Sequence, residues 1–373
     1  MPATSPCAAV AVRAATLADH LQIASLESRY GLGTRNYEEW SHLWLANPVF
    51  REHPDWTIGW VVADQDRRLV GSLGHIPLAY TFQGRRILAC SGRALVAEPP
   101  YRSACLMLLD QLINHSQADL YLNNTVGADV APAFHLFECS RVPSGIWDRA
   151  AFWITRYRQT ITAFLRPRLG GASHLLSHPL AAAAFLNDRL KAAGLRENDV
   201  RVSACTAFDD RFDDFWESLQ ARLPHVLLAV RTRETLAWHF KYKLAKNQLW
   251  IATVSDGPRL VAYAIFERKD PGDPIACLRR MRLVDFQSLD GGTALLAPIL
   301  LWALRKCGQE RIHLLENVGR WLEKGEWVAS AAPYRRKLAT WTYFYRAAKP
   351  GLAHSLMDRG VWAPSLYDGD ATL

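Results

Sequence analysis

The sequence predicts an α/β protein in which one mixed α/β unit occurs twice. The first observation is a pair of strand hairpins, WVVADQDRRLV at 60–70 and WIATVSDGPRLV at 250–261. Each reads as an apolar strand opened by Trp, a polar turn around Asp, and a second strand that begins Arg-Leu-Val. The second observation is an aromatic helix before each hairpin, YEEWSHLW at 37–44 and ETLAWHFKY at 234–242.

The third observation is a repeated order of elements after each hairpin. A strand, a long apolar helix and a short strand come next, and the short strand reads LYLNNTVG at 120–127 and IHLLENVG at 312–319. The two copies are offset by about 190 residues, which is far longer than the period of a solenoid repeat. The pattern therefore favours two copies of one domain.

Composition is that of an ordinary globular chain with a large core. Its 373 residues allow two domains of typical size, and it contains 14 Trp and 14 Phe. The longest apolar run, LLAPILLWAL at 295–304, contains Pro298 and is about half the length that crosses a bilayer. The first 20 residues lack a charged start followed by an apolar core, so we expect no signal peptide.

The positions of the cysteines, histidines and charges indicate the kind of protein and the kind of ligand it would bind. Seven Cys stand at scattered positions without a CxxC pair (7, 90, 105, 139, 205, 277, 307), which is typical of reduced thiols in a cytoplasmic protein. None of the 12 His shows metal-ligand spacing, so we predict no metal. The net charge of +8 is dispersed along the chain and is compatible with an anionic ligand such as a phosphorylated cofactor.

The N-terminal domain is predicted to span 8–150 and a helical connector 151–197, where an Ala-rich segment follows a Gly-Gly turn. Pro99-Pro100 suits the approach to a helix. The predicted elements of the first domain are strand AVAVRAA (9–15), helices 17–29 and 36–46, strands 58–64, 68–80 and 84–97, helix 102–116, strand 119–124 and helix 129–139.

The C-terminal domain is predicted to span 198–350. It begins with strand 199–206 and helix 208–222 and ends in strand 337–346. Residues 351–373 form a turn-rich tail, which we expect to pack across a domain.

A candidate phosphate site lies in the second copy. Strand MRLVDFQSL (281–289) runs into DGG (290–292), and a helix is predicted to start at Thr293. Backbone N–H groups and the positive end of the helix dipole would face a pyrophosphate at such a junction.

At this junction the chain resembles the GCN5-related N-acetyltransferase (GNAT) superfamily. The acyl-CoA loop of that family reads Gln/Arg-x-x-Gly-x-Gly/Ala, and this chain has Gln287, Asp290 and Gly292, with Asp replacing one Gly. The segment GRWLEKGEW (319–327), predicted as a helix, resembles the second motif of the family. With its duplication, the chain is similar to tandem two-domain members, which implies two mixed, mostly antiparallel sheets flanked by helices.

The resemblance also implies a co-substrate and its contacts. It implies that acetyl-CoA or another acyl-CoA is bound by Gln287 and by the amides of Gly291, Gly292 and Thr293. The first copy offers Arg102 and Ser103 in EPPYRSACLML (98–108). Because Cys105 and Met107 occupy small-residue positions there, the sequence favours the second domain for the cofactor.

Catalysis in this family implies a base that deprotonates an amine and an acid that protonates the departing thiolate. Asp285 is the first candidate base, Glu98 is its counterpart in the first copy, and Glu316 is the third. Phe137 and Leu322 stand where the family often places the Tyr that acts as the acid, so Tyr334 is the candidate acid and Tyr343 is an alternative.

The resemblance therefore implies transfer of an acyl group from acyl-CoA to an amine, or to a hydroxyl, of a small molecule, sugar or peptide. Two alternatives stay open. One is a Fem-like aminoacyl transferase that uses charged tRNA; the net positive charge of the chain is compatible with this alternative. The other is a degenerate tandem that binds a ligand or acts as a scaffold without turnover.

Overall fold

The computed structural model describes residues 10–33, 35–192, 200–270, 278–338 and 342–373. It contains two large sheets. Over these residues the order of strands in the first sheet is β1 (Ala11–Ala14), β2 (Gly59–Ala63), β3 (Leu69–Phe82), β4 (Arg85–Ala97), β5 (Leu120–Val126), β15 (Thr342–Ala347) and β6 (Ser140–Arg141). The short strand β9 (Leu228–Ala229) also pairs with β3.

The second sheet repeats the first. Its order is β8 (Val202–Cys205), β10 (Leu249–Asp256), β11 (Arg259–Lys269), β12 (Arg280–Ser288), β13 (Leu314–Gly319), β7 (Ile146–Ile154) and β14 (Tyr334–Lys337). Among the strands named here, the only parallel neighbours are β4 with β5 and β12 with β13. The two mixed, mostly antiparallel sheets confirm the predicted fold class and the duplication.

One strand of each sheet comes from the other half of the chain. β7 follows the first copy along the chain but lies in the second sheet, between β13 and β14. β15 follows the second copy but lies in the first sheet, between β5 and β6. The chain therefore passes from each sheet to the other. The domain boundaries at 150, 197 and 350 stay a prediction.

Helices cover both sheets. They are α1 (His20–Arg29), α2 (Tyr37–Leu45), α3 (Pro48–Glu52), α4 (Ala104–Asn114), α5 (Ala131–Leu136), α6 (Tyr157–Leu169), α7 (Ser173–Ala192), α8 (Arg211–Arg222), α9 (Arg233–Ala245), α10 (Leu296–Gln309), α11 (Trp327–Ala331) and α12 (Pro350–Ser355). Helices α6 and α7 occupy most of the predicted connector, and residues 193–197 lie outside the described residues.

The two aromatic helices join the halves. Asn36 caps α2 by accepting a hydrogen bond from the N–H of Glu39, and Thr232 caps α9 in the same way. The indole N–H of Trp238 donates to the carbonyl of His42 over 3.0 Å, and Nε2 of His42 lies 3.0 Å from the carbonyl of Trp238. Equivalent helices of the two copies therefore meet at the interface.

Two predicted elements are wrong. Residues 319–327 do not form one helix: Gly319 ends β13, a single 3₁₀ turn covers 320–322, and α11 begins only at Trp327. Gly319 and Gly325 have φ of +92° and +100°, which are incompatible with a continuous α-helix. The predicted strand 337–346 is not one strand either, since β14 and β15 lie in different sheets.

The tail after α12 contacts both halves of the chain. The hydroxyl of Tyr80 in the first half donates to the carbonyl of Asp368 over 2.7 Å. The backbone N–H of Leu366 donates to the carbonyl of Val284 in the second half over 3.1 Å. Both tail residues are almost fully buried, so the tail is part of the core.

Three further features concern the thiols, the membrane-spanning segments and the metal-binding groups. Cys90, Cys105, Cys139, Cys205 and Cys307 are free thiols, while Cys7 and Cys277 lie outside the described residues. Within the described part of the chain, no helix has the length and apolar character needed to span a bilayer. The same residues contain no group of three or more His, Cys, Asp or Glu side chains placed to hold a metal ion.

Candidate active site

The parallel strands β4 and β5 separate soon after they meet. Their backbones pair only at Ala89 with Leu120 and at Cys90 with Tyr121. Further along, the side-chain amide of Asn123 donates to the carbonyl of Gly92 over 3.2 Å. A wedge-shaped gap therefore opens in the middle of the first sheet.

This gap is a cavity of about 230 Å³, here called the first-sheet cleft. Ala94 in its wall has φ +56° at a β-bulge, a strained conformation for a residue with a Cβ atom. The walls come from both strands, from α4 and from the tail, and include Gly92, Ala94, Leu95, Leu109, Leu112, Tyr121, Asn123, Thr125 and Asp370.

Tyr121 is the first polar group of the cleft. Its side chain is 3% exposed, yet its hydroxyl has no hydrogen-bond partner among the described residues. Asn123 is near enough to affect the pKa of Tyr121 but lies outside hydrogen-bonding geometry, and burial raises that pKa well above its usual value. A buried unpaired hydroxyl costs free energy that a bound polar ligand would recover.

Asp370 is the second polar group of the cleft, and the tail brings it there. One carboxylate oxygen accepts a hydrogen bond from the backbone N–H of Asn124 at 3.0 Å, and the other accepts from the hydroxyl of Thr125. Burial nevertheless raises the pKa of Asp370 to about 6. A carboxyl group with that pKa exchanges protons near neutral pH, as a general base must.

The equivalent gap of the second sheet is filled. Strands β12 and β13 pair only from Arg280 to Arg282 and then separate, with a bulge near Val284. The separation exposes the backbone of β12. The tail occupies this exposed edge, where the N–H of Leu366 donates to the carbonyl of Val284.

Side chains fill the rest of that gap. Arg320 donates to the carbonyl of Phe286 over 3.1 Å and stacks on the ring of Trp321 at 4.1 Å. Trp321 packs edge-on against Phe286, with ring centroids 5.7 Å apart. Side chains and the tail therefore occupy the gap of the second sheet.

The predicted cofactor residues of the second copy lie beside this filled gap. Gln287 is 3% exposed and donates to Asp285 over 3.1 Å. The N–H of Gly291 donates to the carbonyl of Ser288, and the N–H of Gly292 donates to a carboxylate oxygen of Asp290 at 2.9 Å. Thr293 lies in the turn before α10. The role of Gln287, Gly291, Gly292 and Thr293 stays a prediction.

Arg102 and Ser103, the predicted residues of the first copy, lie at the exposed start of α4. Helix α4 also supplies Leu109 and Leu112 to the first-sheet cleft. Arg102 and Ser103 therefore lie at the positive end of a helix that borders the cleft.

Asp285, the first candidate base, is held in a buried ion pair. Nε of Arg231 lies 2.8 Å from one carboxylate oxygen and Nη2 lies 3.1 Å from the other, and the hydroxyl of Tyr263 donates to Asp285 as well. Burial alone raises the pKa of Asp285, but the guanidinium of Arg231 outweighs it and holds that pKa below its usual value. Arg231 also binds Asp368 of the tail at 2.8 Å.

Glu98 and Glu316 are held by arginines in the same manner. Glu98, at the end of β4, accepts from Arg68 and Arg29, and the hydrogen bonds from Arg68 hold the pKa of Glu98 below its usual value. Glu316 is fully buried on β13, where burial raises its pKa but Arg282 and Arg336 lower it further. Ion-paired carboxylates of this kind are weak bases.

Tyr334, the candidate acid, lies on β14 and donates to Asp188 of α7 over 2.9 Å. Burial and this carboxylate raise the pKa of Tyr334 to about 12. Asp285, Glu98, Glu316 and Tyr334 are all outside the walls of the first-sheet cleft, and the structure does not bring them together. Their catalytic roles stay a prediction.

A second cavity, here called the basic pocket, lies between α2 and α9. Its volume is about 350 Å³, and β4 and the tail complete its walls. Its charged side chains are Arg35, Glu39, Arg93, Lys243 and Lys246.

The comparison with solved structures decides the fold. A GCN5-related N-acetyltransferase from Anabaena variabilis superposes with a TM-score of 0.55 at 11% identity, covering 91% of this chain and 73% of that one. An N-myristoyltransferase from Saccharomyces cerevisiae with bound myristoyl-CoA superposes with a TM-score of 0.54 at 12% identity, covering 93% and 81%. The chain adopts the tandem GNAT fold. No family model and no curated protein sequence matches it.

The predicted resemblance to tandem GNAT proteins is thus confirmed for the fold. The cleft residues Tyr121 and Asp370 are not among the site residues that the sequence predicts. Tyr121 lies in LYLNNTVG, which we read only as a repeated strand, and Asp370 lies in a tail without a motif. The signal that existed was the pair of Asp residues in YDGD (367–370), which is unusual for a segment predicted to pack in the interior.

Proposed function

We propose that the protein is an acyl-CoA-dependent N-acyltransferase whose thioester binds in the first-sheet cleft. The observation that carries the proposal is the open gap between β4 and β5, which contains a buried unpaired hydroxyl and a carboxyl group of raised pKa. The fold is that of proteins that include an N-myristoyltransferase with bound myristoyl-CoA. The proposal therefore moves the cofactor from the second copy, favoured by the sequence, to the first.

Each polar group has a place in the reaction. The amine attacks the thioester carbonyl, so that a C–N bond forms and the C–S bond breaks. Asp370 takes the proton that the amine loses, and Tyr121 gives a proton to the departing thiolate and regains one from solvent. The guanidinium of Arg102, exposed at the start of α4, and the positive end of that helix would receive the phosphates of CoA.

Two arginine variants separate the two possible sites. Arg102 lies at the start of α4, whereas Arg222 lies near the start of α10, where it donates to the carbonyl of Leu289 over 3.4 Å. We expect Arg102→Gln to weaken the binding of acetyl-CoA, measured by calorimetry, by about tenfold for one lost phosphate contact. Arg222→Gln, with the same change of charge, should bind as the parent does.

The reverse ranking of the two variants would place the cofactor in the second sheet. Failure of both acetyl-CoA and a long-chain acyl-CoA to bind at millimolar concentration would rule the proposal out. Tight binding without turnover over a broad panel of amines would instead favour the ligand-binding alternative.

A further inference from the structure

The basic pocket adjoins the first-sheet cleft, and β4 forms a wall of both. Gly92 and Ala94 line the cleft, while Arg93 between them lines the pocket. The tail repeats this arrangement, with Asp370 in the cleft and Thr372 in the pocket. A molecule in the pocket therefore lies next to the place where the thioester carbonyl is proposed to bind.

Positive charge predominates in the basic pocket. Four cationic side chains line it against one carboxylate side chain, that of Glu39. The two histidines of the pocket do not add to this charge at neutral pH. Burial lowers the pKa of His239 to about 3, and it also lowers the pKa of His42, which contacts the carbonyl of Trp238.

Three of the four cations are neutralised by neighbouring carboxylates. Each pair joins a cation of the pocket to a Glu on α1, α2 or β11: Arg93 with Glu27 at 3.4 Å, Lys246 with Glu39 at 2.6 Å, and Lys243 with Glu267. These three pairs leave one guanidinium to be explained.

Arg35 is that guanidinium. It is partly buried, and within the described ranges its side chain has neither an ion pair nor a hydrogen-bond acceptor. Burial and the nearby charge of Arg93 lower the pKa of Arg35 to about 10. The carboxylates of Glu39, Glu27 and Glu267 offset part of this effect from a distance, and an anionic ligand at the guanidinium of Arg35 would offset more of it. The planar guanidinium suits a carboxylate or a phosphate.

We propose that the acceptor is a small amine that also carries a carboxylate or a phosphate, and that Arg35 binds this anionic group in the basic pocket. The pocket volume is near the lower end of the range for small-molecule sites, which favours a metabolite-sized acceptor. Binding there leaves the amine free to point past β4 toward Asp370. This inference rests on the proposed acyltransferase function and specifies its acceptor.

Paired amines test the inference without any acyl donor. Calorimetry would compare γ-aminobutyrate with butylamine and O-phosphoethanolamine with ethanolamine, on the parent protein. We expect the anionic member of at least one pair to bind at least about tenfold more tightly, which is the value of one charge-assisted hydrogen bond. Whether the carboxylate or the phosphate is preferred identifies which anion the site takes.

Arg35→Gln should abolish this preference while leaving acetyl-CoA binding unchanged. Arg67→Gln is the matched control, since Arg67 lies exposed in the turn between β2 and β3 and lines neither cavity. Equal affinity for amines with and without the anionic group, or an Arg35→Gln variant that keeps the preference, would overturn the inference. A parent protein that prefers the anionic amines but does not bind acetyl-CoA would count against the acyltransferase function. The anion site would still stand.

Discussion

The backbone N–H of Leu366 donates to the carbonyl oxygen of Val284 over 3.1 Å, which closes the gap of the second sheet. The bulge at Ala94 on β4 is equivalent to the bulge at Val284 on β12. Among the described residues, no tail residue forms a backbone hydrogen bond with Ala94. The same segment that closes one gap supplies Asp370 to the other. A single piece of chain thus makes two similar halves unequal.

Replacing Gly369 should loosen this segment. A Cβ atom there would lie 2.7 Å from the side chain of Asn124, which is fully buried and binds the tail at Leu366 and Ala371. We expect Gly369→Ala to lower the free energy of unfolding by about 1–3 kcal/mol, measured by urea denaturation. Gly351→Ala on α12 has open space around it and should be neutral or slightly stabilising.

Acyl transfer should depend on pH through Asp370. Burial raises the pKa of Asp370 to about 6, so the carboxyl is protonated and inactive as a base below that pH and ionised above it. We expect kcat/KM, corrected for the ionisation of the amine, to rise with pH through about 6. Asp370→Asn should lose this rise and about 10²-fold or more of activity while still binding acyl-CoA. A rise that persists in Asp370→Asn would assign the titration to another group.

Tyr121→Phe should separate catalysis from stability. Because the hydroxyl of Tyr121 is buried without a partner among the described residues, removing it should leave the free energy of unfolding unchanged or raise it by about 1 kcal/mol. Turnover should fall in the same variant, since the thiolate loses its proton donor. Tyr80→Phe is the control: it removes the hydrogen bond to Asp368 and should destabilise the protein. A Tyr121→Phe variant with normal turnover would remove Tyr121 from the mechanism.

Asp285→Asn should act on folding. It leaves Arg231 buried with half of its counter-charge, and loss of one partner of a buried ion pair costs about 3–5 kcal/mol. Asp256→Asn, at an exposed position at the end of β10, is the control and should have little effect. A stable Asp285→Asn variant with abolished turnover would instead support the role that the sequence predicted.

The sequence predicts the duplicated scaffold well because periodicity records which face of each element is buried. The hairpins at 60–70 and 250–261 and the helices around Trp40 and Trp238 lie where their patterns place them. Local pattern does not record the partner of a strand. The sequence predicts no strand over Ile146–Ile154 and joins β14 and β15 in a single strand, so only the pairing of whole sheets shows that β7 and β15 exchange.

The candidate site was harder to predict, because its chemistry depends on long-range contacts. Asp285 and Glu98 have the right residue type and position on a strand, but Arg231 and Arg68, far away in the chain, make them structural ion pairs. Asp370 acquires its raised pKa only through burial, when the tail packs against β5. A motif at 290–292 could be read locally, whereas the filling of its gap by Leu366 could not.

The strand exchange constrains how the chain reaches its native state during synthesis. The first sheet needs β15, which follows every strand of the second sheet along the chain, so the first sheet cannot be completed until the second copy has been synthesised. Such late closure gives many contacts of high sequence separation, which slows folding and prolongs the exposure of unpaired strand edges. We therefore expect the nascent protein to depend on chaperones more than a chain of two self-contained domains would.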